Sequence, residues 1–148
     1  MTTDETNTQI FRAAPHGKKS VFREIEIESS NSLYHLAEAI LLAFDFDLDH
    51  AFGFYSGETA RTLMVQQPKY ELFADIGEES DAASVKNTRL DKAFPKAGYA
   101  MTLLFDYGDE WLFRVEMLRS GAKAAKVRYP RLVASEGKSP DQYPAEDD

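Results

Sequence analysis

The sequence predicts an α+β fold, a mostly antiparallel sheet with helices packed on it, and three observations carry that prediction. Residues 21–28 alternate: Val21, Arg23, Ile25 and Ile27 fall on one side, Phe22, Glu24, Glu26 and Glu28 on the other. That is the pattern of a half-buried strand with one wet face. Leu33, Leu36, Ala37, Ile40, Leu41 and Phe44 recur at three- and four-residue spacings, which predicts one main amphipathic helix over about residues 32–45. Residues 99–106 and 111–118 alternate on either side of an acidic, Gly-containing turn and read as a hairpin. Its second face is also partly apolar, which places it in the middle of the sheet.

The remaining elements follow in order. Residues 1–8 are polar and read as a frayed tail, with a first strand over residues 9–14. Pro15-His16-Gly17 is turn chemistry. Ser29-Ser30-Asn31-Ser32 offers N-caps for the main helix. An acidic connection over residues 45–50 leads to a short aromatic strand at Phe52, Phe54 and Tyr55. Residues 58–69 carry no clear period, residues 70–76 read as a strand, and residues 77–87 as a small-residue loop. Thr88-Arg89-Leu90-Asp91 resembles a capping box and predicts a short second helix over about residues 88–94, stopped by Pro95. The domain is expected to span residues 9–143, loosely held from Pro140 onward, with an acidic tail at residues 144–148.

Composition bounds the function. A chain of 148 residues is one domain's worth and can bury a core without staples. There is no cysteine, which removes disulfides, thiolate zinc sites and thiol nucleophiles. The start is polar and acidic, and the longest apolar run, residues 39–44, is too short to cross a bilayer. The expectation is a soluble cytoplasmic protein with no membrane partner. A formal net charge of -8 repels phosphate backbones and disfavours nucleic acid as a partner.

Three constellations could carry chemistry. His50 with Asp106 and Asp109 could ligate a divalent metal or do acid–base work, Asp109 or Glu110 orienting the imidazole. Against this stands a structural reading, in which both aspartates bond turn backbone, Trp111 covers the core end and His50 bonds a neighbouring strand. Asp45, Asp47 and Asp49 imitate the start of a calcium loop, but His50 and Ser56 stand where that loop needs Gly and Glu. Arg119, Lys123, Lys126, Arg128 and Arg131 form a basic strip with Tyr129. It could track phosphates, or be a wet edge or a counterpart to acidic neighbours. His16 sits in a turn and His35 lies off the helix stripe. No Gly-x-Ser-x-Gly, dinucleotide fingerprint or phosphate-binding loop is present.

Several pieces together resemble the plasmid pRiA4b ORF-3-like family of small bacterial and archaeal domains, over about residues 10–143. Residues 21–27, Val-Phe-Arg-Glu-Ile-Glu-Ile, resemble its early strand, residues 33–44 its helix, and Asp49-His50-Ala51-Phe52 the segment after it. Residues 105–111, Phe-Asp-Tyr-Gly-Asp-Glu-Trp, resemble its most recognisable string, Tyr-Asp-Phe-Gly-Asp-x-Trp. Tyr129-Pro130-Arg131, Glu136-Gly137 and Pro140 resemble its C-terminal segment. The chain departs where family members carry Pro-Pro-Glu-Asp-x-Gly-Gly, having Ser139-Pro140-Asp141-Gln142-Tyr143-Pro144 instead. The resemblance implies a roll-like arrangement of the sheet and no chemistry. The expectation is therefore a non-catalytic binding or interaction module with no cofactor, its partner a protein or a small polar ligand. His50, Asp106, Tyr107, Asp109 and Trp111 are the site candidates, Trp111 as contact or packing anchor. The alternatives are a metal-dependent hydrolase-like enzyme at His50, Asp106 and Asp109, and a nucleic-acid accessory protein of mobile-element context using the basic strip.

Overall fold

The computed structural model describes residues 7–57, 62–75 and 81–143. Its strands are β1 (Asn7–Pro15), β2 (Phe22–Glu28), β3 (Phe52–Tyr55), β4 (Lys69–Glu71), β5 (Ala83–Ser84), β6 (Ala100–Phe105), β7 (Trp111–Ala122) and β8 (Arg131–Glu136). The helices are α1 (Leu33–Ala43) and α2 (Leu90–Ala93). The strands form one sheet in the order β5-β4-β3-β6-β7-β1-β2-β8, with the β6–β7 hairpin near its centre. Six pairings are antiparallel. The short β5 runs parallel to β4, so the sheet is mixed.

One face of the sheet meets the helices. Leu33, Leu36, Ala37, Ile40 and Leu41 of α1 are buried against Phe11, Ile25, Ile27, Phe52, Phe54, Leu103 and Phe113. The stripe read from the sequence is the stripe that is buried. At about 25 cal/mol per Å² of apolar area, each large side chain in it contributes roughly 1.5–3 kcal/mol.

The two helix starts hold each other. Ser32 caps α1, its Oγ accepting from His35 N at 3.3 Å. Leu33 N and Tyr34 N donate to Thr88 O and Val85 O, both at 3.1 Å. In return Leu90 N and Asp91 N of α2 donate to Asn31 O and Ser29 O. This exchange satisfies first-turn donors that a helix cannot satisfy itself. It also removes the need for a capping box. Thr88 Oγ1 bonds Ser84 O instead, Arg89 is the N-cap, and α2 is shorter than the predicted 88–94.

Other boundaries shift for physical reasons. The frayed tail expected over residues 1–8 ends sooner: β1 takes in Asn7 and Thr8, because Thr8 is fully buried and donates to Glu26 Oε2 at 2.6 Å. The strand expected over residues 70–76 is only β4, after which the chain turns through a 3-10 segment, Leu72–Asp75. Ile76, most of the expected tail 1–8 and the tail 144–148 lie outside the described residues.

The face of β2 expected to be wet is not. Glu24 and Glu26 are buried, since β2 lies between β1 and β8 rather than at an edge. Glu24 takes Arg12 Nε at 2.8 Å, with the Arg12 guanidinium over the Phe22 ring. Burial pushes the Glu26 carboxyl up, but hydrogen bonds from Thr8 and Arg131 and the charges of Arg131 and Arg119 outweigh it and hold it below the usual range.

Candidate functional site

The turn between β6 and β7 is built on Asp106. Its φ of 65° lies in the left-handed region, which Asp tolerates better than most residues. Its backbone N donates to Ala51 O at 2.9 Å, and its O accepts from Glu110 N at 2.6 Å. Its Oδ1 accepts from Gly108 N at 3.1 Å and Asp109 N at 3.2 Å. One carboxylate oxygen thus closes the turn, as Asp does in Asx turns. The other, Oδ2, lies 3.3 Å from His50 Nε2.

His50 does not bond a neighbouring strand; it meets the C-terminal segment. Its Nε2 lies 2.9 Å from the Tyr143 hydroxyl, which donates to Asp49 Oδ2 at 2.8 Å. The phenol's one proton being committed to Asp49, His50 Nε2–H is the donor to Tyr143. Gln142 accepts from Asp47 N at 2.7 Å and donates to Asp47 O at 3.1 Å and Asp49 Oδ1 at 3.2 Å. The stretch expected to hang loosely from Pro140 is therefore strapped across the acidic connection. The hydrogen bond to Asp49, then burial and the charges of Asp49, Asp106 and Asp109, push the Tyr143 phenol up to about 12.

The expected His50, Asp106 and Asp109 trio does not assemble. His50 and Asp106 meet; Asp109 is exposed and joins the turn through its backbone N. Among the described residues no group of three or more His, Asp or Glu is placed to hold a metal ion. Trp111 is half-buried, with its ring edge-on to Phe46 at 4.9 Å, a packing anchor at the end of the core.

Tyr107 leaves this group altogether. Its hydroxyl lies 2.6 Å from that of Tyr55, which donates to Glu71 Oε2 at 2.5 Å, and its ring lies 4.9 Å from Phe73. Gly53 makes room for it: a Cβ there would stand 2.8 Å from the Tyr107 hydroxyl and from Tyr70 O. Burial pushes the Tyr107 phenol up to about 12 and the Tyr55 phenol further, reinforced there by the Glu71 carboxylate.

A phenol raised in the folded state favours the neutral form. Its contribution is complete below about 10, the unfolded value, and is lost as pH climbs from there through about 12. Of the seven tyrosines, Tyr55 is expected to stay un-ionised through that window until the protein unfolds, and Tyr107 and Tyr143 to ionise only toward its upper end. Ultraviolet titration of tyrosinate, native against urea-unfolded, checks this. Seven phenols titrating together near pH ~10 would contradict the network.

The basic strip is partly consumed by its neighbours. Arg131 Nε donates to Glu26 Oε1 at 2.9 Å, Lys123 Nζ lies 3.3 Å from Glu28 Oε1, and the charge of Arg119 acts on Glu26. These three are the counterpart to acidic neighbours. Lys126 and Arg128 stay exposed on the loop before β8.

Sequence reasoning missed Asp49 and Tyr143 as partners of His50, missed Gln142 as a partner of Asp47 and Asp49, and missed two surface features. Arg23 is 7% exposed and lies beside a cleft of about 550 Å³ lined also by Phe44, Asp45, Lys138 and Tyr143. Between α1 and β8 runs a largely apolar groove of about 210 Å³, lined by Ile25, Ala39, Leu42, Ala43, Pro130, Arg131 and Leu132. Leu42 is 72% exposed and Leu132 53%. Leu42 carried a signal: it is a large apolar residue off the buried stripe, where an amphipathic helix places polar groups.

Comparison with known proteins fits this geometry. The chain is similar to a protein of unknown function, MM3350, from Methanosarcina mazei Go1, whose crystal structure matches with a TM-score of 0.73 at 19% identity, over 93% of this chain and 73% of that one. That likeness concerns the fold. No curated protein matches the chain. The sequence pattern of the plasmid pRiA4b ORF-3-like proteins matches residues 15–146, which takes in the Asp106 turn, His50, Arg23 and both walls of the groove, and the chain belongs to that family.

Proposed function

We propose that the protein is an interaction module without catalysis of its own, and that its contact surface is the groove between α1 and β8. The observation that carries this is Leu42, a leucine 72% exposed beside Leu132 at 53%, on a wall of the groove. A contiguous exposed apolar patch with polar surroundings is the mark of a surface meant to be covered. Burying two leucines on a partner is worth roughly 3–6 kcal/mol before the costs of association.

The turn favours catalysis less. Asp106 spends one carboxylate oxygen on backbone donors, and His50 is held between Asp106 and Tyr143. The basic strip favours phosphate binding less, since Arg131 and Lys123 already face carboxylates.

A photo-crosslinking residue at position 42, with a control at position 109, tests the reading in cells. The expected result is a discrete protein adduct from position 42 and none from position 109. Adducts from position 109 alone would move the contact surface to the turn and overturn the reading.

A further inference from the structure

The partner that fits this groove is a second copy of the chain: we infer that two copies associate face to face about a two-fold axis that runs along the groove, between Leu42 and Leu132. This rests on the groove being a contact surface and goes further by naming what covers it.

The two walls differ in charge. On α1, the exposed Glu38 stands one helical turn before Leu42, and the exposed Asp45 follows just past the helix end, on the side of the neighbouring cleft. The opposite wall is Pro130, Arg131 and Leu132, the Arg131 side chain staying 47% exposed although it pairs with Glu26, and the loop leading into it carries the exposed Lys126 and Arg128. The patch is therefore apolar at its centre, acidic along one side and basic along the other. A uniformly acidic or basic partner satisfies one side and is repelled by the other. A two-fold axis lying in the contact plane, along the groove, lays each copy's acidic side on the other's basic side, and each Leu42 against the other's Leu132 wall. That is the self-complementarity an isologous interface requires. The formal net charge of -8 is a general barrier to self-association, which this local pairing offsets.

The contact is made by side chains, not by extending the sheet. The open edge of β8 is broken by a bulge: Ile25 pairs with Leu132 and Glu24 with Ala134, leaving Val133 outside the register. Bulges at edges terminate strand pairing.

Sedimentation equilibrium of the full chain is the test. Wild type is expected to form dimers. Leu42→Glu, which changes a mostly exposed side chain and leaves the fold intact, is expected to raise the dissociation constant at least about 30-fold, the factor that corresponds to a hot-spot residue. Two charge-reversed chains give the sharper reading. Glu38→Arg with Asp45→Arg is expected to stay monomeric alone, and so is Lys126→Glu with Arg128→Glu. Mixed together they are expected to form a heterodimer, because each reversed side then meets its opposite. A wild-type monomer at all concentrations, or dimers that Leu42→Glu and the reversals leave unchanged, overturns the inference. The adduct from position 42 separates the two failures. An adduct larger or smaller than two chains sinks the second copy and keeps the interaction surface, whereas no adduct at all removes both.

Discussion

Replacing Arg23 by alanine is expected to lower the unfolding free energy by about 3–5 kcal/mol. Arg23 is buried, and its hydrogen bonds go to neutral acceptors from four places in the chain. Nε donates to Ala43 O at 3.1 Å, Nη1 to Phe22 O at 2.8 Å and Glu136 O at 2.9 Å, and Nη2 to Ser139 Oγ at 2.8 Å. The guanidinium also sits 4.7 Å from the centre of the Phe44 ring. One side chain thus ties β2 to the end of α1, to β8 and to the start of the C-terminal strap. Alanine removes the donors and leaves the partly buried carbonyls of Ala43 and Glu136 with one fewer partner beside the cleft. Charged hydrogen bonds are worth about 1.5–3 kcal/mol each and do not add fully, which sets the range. Lysine keeps the charge but not the planar fork and is expected to recover less than half of the loss. Urea unfolding with unchanged slope measures it. A loss under about 1 kcal/mol would mean that the guanidinium contributes little beyond what solvent supplies.

Asp106 carries the second large effect, and its substitutions rank in an order that only a structural role gives. Asp106→Ala is expected to cost about 2–3 kcal/mol: about 1–2 for an alanine at positive φ, and about 1 for the two donors left without the Oδ1 acceptor. Asp106→Gly relieves the backbone but not the donors, so about 1–2 kcal/mol is expected. Asp106→Asn keeps an acceptor oxygen and tolerates the left-handed region, so a loss within about 1 kcal/mol is expected. Thermal unfolding ranks the three, at roughly 3–4 °C for each kcal/mol in a chain of this size. If asparagine were as damaging as alanine, the negative charge facing His50 would matter more than the turn.

What the sequence made legible was periodic or local. The α1 stripe could be read because burial on one face imposes a 3.6-residue period. Arg23 could be placed on the inward face with Ile25 and Ile27, because alternation in a strand is strict. The Asp106 turn could be read because Asp and Gly at a strand end serve backbone needs. Contacts between distant residues left no such trace. Tyr143 meets His50 across 93 residues, and nothing in the local pattern of residues 139–143 points there. Tyr107 was grouped with Asp106 because they are adjacent, yet adjacent residues at a strand end point to opposite sides. The burial of Glu24 and Glu26 depended on β8 lying outside β2, a matter of sheet order. Capping by tertiary carbonyls rather than by Thr88 was hidden for the same reason. Leu42, an apolar residue off the stripe, carried a signal that the sequence reading did not use.

The central claim is that the groove between α1 and β8 is the protein's contact surface and the Asp106 turn a folding device. Hydrogen–deuterium exchange of the full chain as a function of its own concentration tests this most directly. Amides of residues 38–45 and 128–134 are expected to gain protection as concentration rises, while those of residues 106–110 stay unchanged. Protection confined to residues 106–110, with the groove unaffected, would contradict the account.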